Sequence, residues 1–159
     1  MIVHRIAATT PIYRAEDLTG KGAAITGGRW SRVGLPMLYC ASHVSLAILE
    51  MLVHTGTSHP PPRNRYHIEV DIPDAAWAAR RIGRSDRLFP ADWDAHSVGA
   101  GSVGYGSDWL VAQSELVLVV PSVAVPTEDN VLLNPAHPAF ARVRVKNLGR
   151  LDFDHRLFL

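Results

Sequence analysis

The chain has 159 residues, of which 47% are apolar and 19% charged, with a formal net charge of +1. That length fits a single domain spanning residues 1–159 with one buried core, and that composition excludes a disordered or fibrous chain. The 16 basic side chains form no dense stripe, so direct nucleic-acid binding is not expected. Cys40 is the single cysteine, which excludes an intramolecular disulfide and fits a reducing compartment. The stretch Met1–Ile6 lacks the layout of a signal peptide, and no run of about 20 apolar residues suggests a membrane span. The expected location is the cytoplasm, with no membrane contact.

Taken in chain order, residues 17–34 carry Gly20, Gly22, Gly27, Gly28 and Gly34, which favours irregular backbone or close approach to a ligand. Residues 35–40 suit a short strand. Ser42 reads as an N-cap for a helix over 44–54 that ends near Gly56. That helix is apolar almost all round, which predicts burial on every side. The run Pro60-Pro61-Pro62 reads as a rigid turn. Residues 66–72 alternate, with Tyr66, Ile68, Val70 and Ile72 on one face, as in a half-buried strand. Beyond residue 106, a short helix capped at Ser107 or Asp108 and strands over 116–120, 131–133 and 141–146 complete the set. Strands outnumber helices in mixed order, which predicts an α+β fold with mixed or antiparallel sheets and short helices.

Glu50 is the only charged side chain between Ser42 and His54, inside that apolar helix. An ionised carboxylate buried alone is very costly, so Glu50 must be neutral, at a wet edge, or paired. Arg29, in the loop Gly27-Gly28-Arg29-Trp30, is the candidate cation. The pair reads equally as a structural salt bridge or as part of a small-molecule site. Tyr39, at the end of the strand before the Glu50 helix, offers a ring for stacking and a hydroxyl for hydrogen bonding.

Three other patterns carry less. Gly99-Ala100-Gly101-Ser102-Val103-Gly104 matches a dinucleotide-binding glycine pattern, but no strand precedes it, and it reads as a loop. The same stretch lacks the first glycine of a hydrolase nucleophile elbow. Glu50 and His54 are one helical turn apart without a convincing third ligand, so no metal site is expected.

Several segments, in order, resemble the RES-domain family, named for an Arg, a Glu and a Ser. They are Asp17-Leu18-Thr19-Gly20-Lys21-Gly22-Ala23, Gly27-Gly28-Arg29-Trp30, Leu38-Tyr39-Cys40-Ala41 and Ala47-Ile48-Leu49-Glu50-Met51-Leu52-Val53-His54. Gly106-Ser107-Asp108-Trp109-Leu110, Val120-Pro121-Ser122 and Asn130-Val131-Leu132-Leu133-Asn134-Pro135-Ala136-His137-Pro138 follow. The named residues fall on Arg29, Glu50 and Ser122. Ser31 stands where the family pattern leads one to expect asparagine, and Val131 where an aromatic is typical.

The resemblance implies a bacterial toxin with a fold similar to ADP-ribosylating toxins, with NAD as substrate and no further cofactor. It implies growth arrest by NAD breakdown with water or phosphate, or alternatively transfer of ADP-ribose to a protein. A non-catalytic interaction module built on an Arg29–Glu50 bridge is the reading from another class. The resemblance also implies an Xre-like helix-turn-helix antitoxin, in a homodimer or a larger toxin–antitoxin complex. Cleavage of the nicotinamide–ribose bond builds an oxocarbenium-like centre that a carboxylate can stabilise, a role assigned to Glu50. Arg29 is assigned to the pyrophosphate through its bidentate fork. Tyr39 is assigned to stack near the nicotinamide and ribose, Ser122 to hydrogen-bond the substrate, and Asn134 to a weaker substrate-binding role.

Overall fold

The computed structural model describes residues 1–55 and 63–158. Seven strands carry the fold: β1 (Ile2–Ala8), β2 (Leu38–Ala41), β3 (Arg65–Asp71), β4 (Arg81–Ile82), β5 (Val117–Pro121), β6 (Asp129–Leu133) and β7 (Arg144–Arg150). They form one sheet in the order β4-β5-β6-β2-β1-β3-β7, antiparallel except for β4 with β5. The helices are α1 (Lys21–Thr26), α2 (Val44–Thr55), α3 (Asp74–Ala78) and α4 (Ala100–Ala112). The chain is a single α+β domain with a mixed sheet.

Side-chain alternation gives this sheet two faces with different uses. One face packs Val3, Cys40, Ile68, Val70, Val117, Val119, Val131 and Leu133 into a continuous core. The other carries Tyr39, Leu132 and Leu118 in one row and Ala41, Asn130 and Val120 in the next. Trp30, Trp109 and Leu110 cover the first of these rows, and Leu46 and Ala47 of α2 pack on Ala41. The alternation read over residues 66–72 appears as β3, with Ile68, Val70 and Ile72 fully buried.

Several expectations shift. Ile2–Ala8, which shows no clean alternation, is a central strand paired with both β2 and β3. The strand expected over 141–146 begins only at Arg144, because Pro138–Arg142 forms a 3-10 turn, and β7 is an exposed edge. The stretch expected as a loop at 99–104 is the first half of α4, with Gly99 at its N-cap. Gly106 of that helix explains why α4 tolerates glycine: a Cβ there would stand 2.1 Å from the Trp30 carbonyl oxygen. Helix α2 is not buried all round: Leu46, Ala47 and Met51 are buried, while Leu49 and Val53 are exposed. Ser42 bonds the His43 ring through Oγ, and Ala47 N–H bonds the His43 carbonyl as α2 begins. The expected helix stop at Gly56 and the turn at Pro60-Pro61-Pro62 lie outside the described residues. No helix among the described residues is long and apolar enough to cross a membrane.

Candidate active site

Arg29 occupies a tight turn. Gly28 and Ser31 close a two-way backbone bridge, with Gly28 N–H bonding the Ser31 carbonyl at 2.9 Å and the reverse bond at 3.3 Å. Arg29 and Trp30 are therefore the two corner residues. Trp30 is buried, stacked on Phe89 at 5.5 Å and edge-on to Tyr105 at 6.2 Å. Each such aromatic pair is worth about 0.5–1.5 kcal/mol beyond its buried area. Arg29 is held as well: its Nη1 donates to the carbonyls of Trp93 at 3.1 Å and Ala95 at 2.9 Å.

Tyr39 holds this turn from below. Its hydroxyl oxygen accepts the Trp30 N–H at 3.1 Å and shares a hydrogen bond of 3.0 Å with Ser31 Oγ. Burial pushes the Tyr39 phenol above its ordinary value, so the hydroxyl is neutral. The hydroxyl expected to be free for a ligand is thus committed to the turn that carries Arg29. Ser31, the departure from the family pattern, is buried and supplies part of that support. Helix α4 clamps the far side: Ser107 Oγ accepts the Arg32 N–H at 3.0 Å and donates to Val103 O at 2.6 Å.

Glu50 reaches the same sheet face from α2. Its Oε1 accepts Ser122 Oγ–H at 2.7 Å and Asn130 Nδ2–H at 2.6 Å. Ser122, 72 residues away in sequence, is fully buried at the end of β5 and also accepts the Val125 N–H at 3.0 Å. Its hydroxyl is thereby spent within the protein, so it orients Glu50 and does not present itself to a ligand. The expected Arg29–Glu50 ion pair is not formed among the described residues. Backbone carbonyls hold Arg29 by Nη1, and two neutral donors hold Glu50 by Oε1. In the sequence Asn130 stands only as the first residue of a family-like stretch, just before the strand expected over 131–133. The signal that marks it is its place beside Ala41, one pleat from Tyr39.

Asn134 is not part of this arrangement. It is 1% exposed; its Nδ2 donates to Leu110 O at 2.9 Å and its Oδ1 accepts the Ala136 N–H at 3.0 Å. Both ends of the amide serve the core, so Asn134 orders the chain after β6 and does not reach a ligand. No group of three or more metal-ligating side chains occurs among the described residues. A cleft of about 650 Å³ runs along α4, lined by Arg81, Leu88, Asp92, Gly101, Tyr105 and Trp109, and none of the candidate residues lines it.

The result is two anchored groups above one sheet face. Arg29 is fixed through Tyr39 on β2, and Glu50 through Asn130 on β6. Tyr39 pairs with Leu132, two residues from Asn130, so the anchors stand about 7 Å apart along the strands. Among the described residues Glu50 makes no ion pair, and both Arg29 hydrogen bonds leave from Nη1. A guanidinium can bind a dianionic group through a bidentate fork, and a carboxylate can stabilise a developing positive charge.

The sequence matches the RES domain family over residues 2–154. A protein of Sphingobium sp. named Prs ADP-ribosylating toxin is 42% identical over 153 residues, covering 96% of this chain and 94% of the relative. A protein of Photorhabdus laumondii named Toxin Res is 38% identical over 159 residues, covering 99% and 97%. The toxin–antitoxin complex MbcT–MbcA of M. tuberculosis contains a chain of similar fold, with a TM-score of 0.60 at 17% identity, covering 99% of this chain and 86% of that one. A match across nearly the whole chain, carried by relatives of similar length, places this protein in the RES-domain family.

Proposed function

We propose that the chain is the toxin of a toxin–antitoxin pair and that it arrests growth by spending NAD. The single observation that carries this reading is Glu50, a carboxylate held by the neutral donors Ser122 and Asn130 and in no ion pair among the described residues. Its charge stays available for a ribose centre that becomes positive as the nicotinamide bond stretches. The bond between ribose C1′ and the nicotinamide nitrogen breaks, and its electron pair leaves with nicotinamide, which becomes neutral. A water or phosphate oxygen then bonds to C1′ and, for water, its proton passes to solvent. Arg29 grips the pyrophosphate through the N–H groups not spent on Trp93 and Ala95. Tyr39 supports that grip through the turn and offers the side of its ring to the substrate.

A second reading transfers ADP-ribose to a protein, and the Sphingobium relative, 42% identical and named an ADP-ribosylating toxin, favours it. Both readings share the first bond cleavage and differ in the acceptor. A cognate antitoxin fits either, since the solved neighbour comes from a toxin–antitoxin complex, and the family resemblance implies that it carries a helix-turn-helix domain.

The test uses NAD labelled in its adenosine half. Wild type releases nicotinamide, and folded Arg29→Ala and Glu50→Ala variants do not. Free labelled ADP-ribose or its phosphate supports breakdown, and label retained on a protein supports transfer. Full nicotinamide release by both variants would sink the proposed site.

A further inference from the structure

The two donors that hold Glu50 arrive on the same oxygen. Ser122 Oγ lies 2.7 Å and Asn130 Nδ2 2.6 Å from Oε1, and Oε2 accepts no hydrogen bond among the described residues. The donors differ in kind. The Ser122 hydroxyl also accepts the Val125 N–H at 3.0 Å, so its one proton is aimed at Glu50. The Asn130 amide carries two protons that do not titrate, and Asn130 is half-buried where Ser122 is sealed. Asn130 also sits on the strand paired with β2, in the row next to Tyr39, whereas Glu50 sits on a helix that rests on Ala41. The amide therefore ties the helix-borne carboxylate to the strand that sets the height of the Arg29 turn.

We infer that Asn130 is a positioning residue: with Ser122 it locks the Glu50 carboxylate on Oε1 and dedicates Oε2 to the substrate. The hydrogen bonds stand by themselves, and only the identity of the substrate rests on the NAD reading. A neutral amide suits this task better than a lysine or arginine, which would hold the carboxylate equally well but cancel its charge. Loss of the tie frees a rotamer and misplaces the reacting oxygen by about 1 Å, an error that costs on the order of a hundredfold in rate.

The test has two readouts on the full-length chain. In the first, nicotinamide release is measured for wild type, Asn130→Ala and Asn130→Asp between pH 5 and 8. Asn130→Ala is expected to lose kcat by roughly ten- to a hundredfold with KM for NAD changed less than about threefold. Asn130→Asp, nearly the same shape, is expected to be impaired at pH 8 and to recover towards pH 5, because the introduced carboxyl can donate to Oε1 only when protonated. A folded Asn130→Ala with kcat within twofold of wild type, or an Asn130→Asp profile parallel to wild type, overturns the inference. In the second, the Asn130 side-chain amide is followed by NMR, without NAD. One Nδ2 proton is expected downfield and slow to exchange, moving to an ordinary shift in Glu50→Ala; an ordinary shift in wild type overturns the inference. A wild type that releases no nicotinamide sinks the NAD reading and leaves the NMR result to decide Asn130.

Discussion

Gly28 and Tyr39 leave no room between them for a methyl group: a Cβ on Gly28 would stand 2.5 Å from the Tyr39 hydroxyl oxygen and 2.9 Å from the ring carbon that bears it. The Arg29 turn therefore rests directly on the tyrosine. Gly28→Ala must push the turn off Tyr39 or tilt the ring, at a cost of about 1–3 kcal/mol. Tyr39→Phe leaves the Trp30 N–H and Ser31 Oγ without their shared partner in a buried place, also about 1–3 kcal/mol. The double variant is expected to be more stable than the sum of the two losses, because each change disrupts the same contact. Urea unfolding of the four proteins measures the coupling, and strict additivity would remove the direct contact from the account.

Gly106→Ala probes the other side of the same turn. The added Cβ would meet the Trp30 carbonyl oxygen, a backbone atom that no rotamer change can move. We expect a loss of about 1–3 kcal/mol in stability and a rise in KM for NAD larger than the fall in kcat, since the Arg29 turn shifts while Glu50 does not. Gly104→Ala is the control on the same helix, where a Cβ meets nothing within 4 Å. That control is expected to be neutral or slightly stabilising, as helical glycine to alanine is worth up to about 1 kcal/mol. Equal destabilisation of the two variants would show that the close approach to Trp30 does not matter.

What the sequence revealed and what it hid follow from the range of each interaction. The alternation of Ile68, Val70 and Ile72 depends on local periodicity and marks β3 directly. In β1, Arg5 occupies the core side between Val3 and Ala7, with its guanidinium turned to the Asp17 carbonyl, so the alternation is broken and the central strand escapes notice. The glycines at 27 and 28 announced an unusual backbone around Arg29, and the tight turn supplies it. The contacts of Glu50 were only half legible: the resemblance puts Ser122 in the same site, but as a substrate contact, and nothing local shows that Ser122 and Asn130 converge on the carboxylate from β6 and the end of β5. Their convergence depends on strand register, which only the folded sheet specifies.

Cys40 offers a check on the core face of β2. It is buried, and burial pushes its thiol up to about 11, so almost none is thiolate near neutral pH. The native protein is expected to resist a thiol reagent at pH 8 and to react fully once denatured. Fast labelling of the folded chain would mean that β2 is open to solvent, contrary to its place between β1 and β6.

His4 and His67 set a pH limit on the fold. His4 Nδ1 lies 3.1 Å from His67 Nε2 across β1 and β3, an arrangement that needs at least one unprotonated nitrogen. Burial first, then the proximity of His67, hold the His4 pKa below its ordinary 6.5, against an opposing pull from Glu69, with His43 adding the least. The unfolded chain therefore takes up this proton at a higher pH than the folded one. The stabilisation is complete above about pH 6.5, declines as the pH falls through that value towards the folded pKa, and is gone below it. Denaturation midpoints should drop between pH 7.5 and 5.5 in wild type and drop less in His4→Gln. A wild-type midpoint that holds constant over that interval contradicts the assignment.

Asn134 separates core support from ligand contact. Asn134→Ala leaves the Leu110 carbonyl and the Ala136 N–H without their side-chain partners, and Leu110 lies in the buried core, so a loss of about 1–3 kcal/mol is expected. Glu50 and Arg29 keep every hydrogen bond they make, because neither touches Asn134. Assayed well below its lowered melting temperature, the variant should therefore bind and turn over NAD with KM and kcat within about twofold of wild type. The contrast with Asn130 is the informative part: two asparagines four residues apart, one exchanged at the expense of stability and the other at the expense of rate. A KM raised tenfold in a folded Asn134→Ala protein would restore Asn134 to the substrate and require the segment after β6 to open towards it.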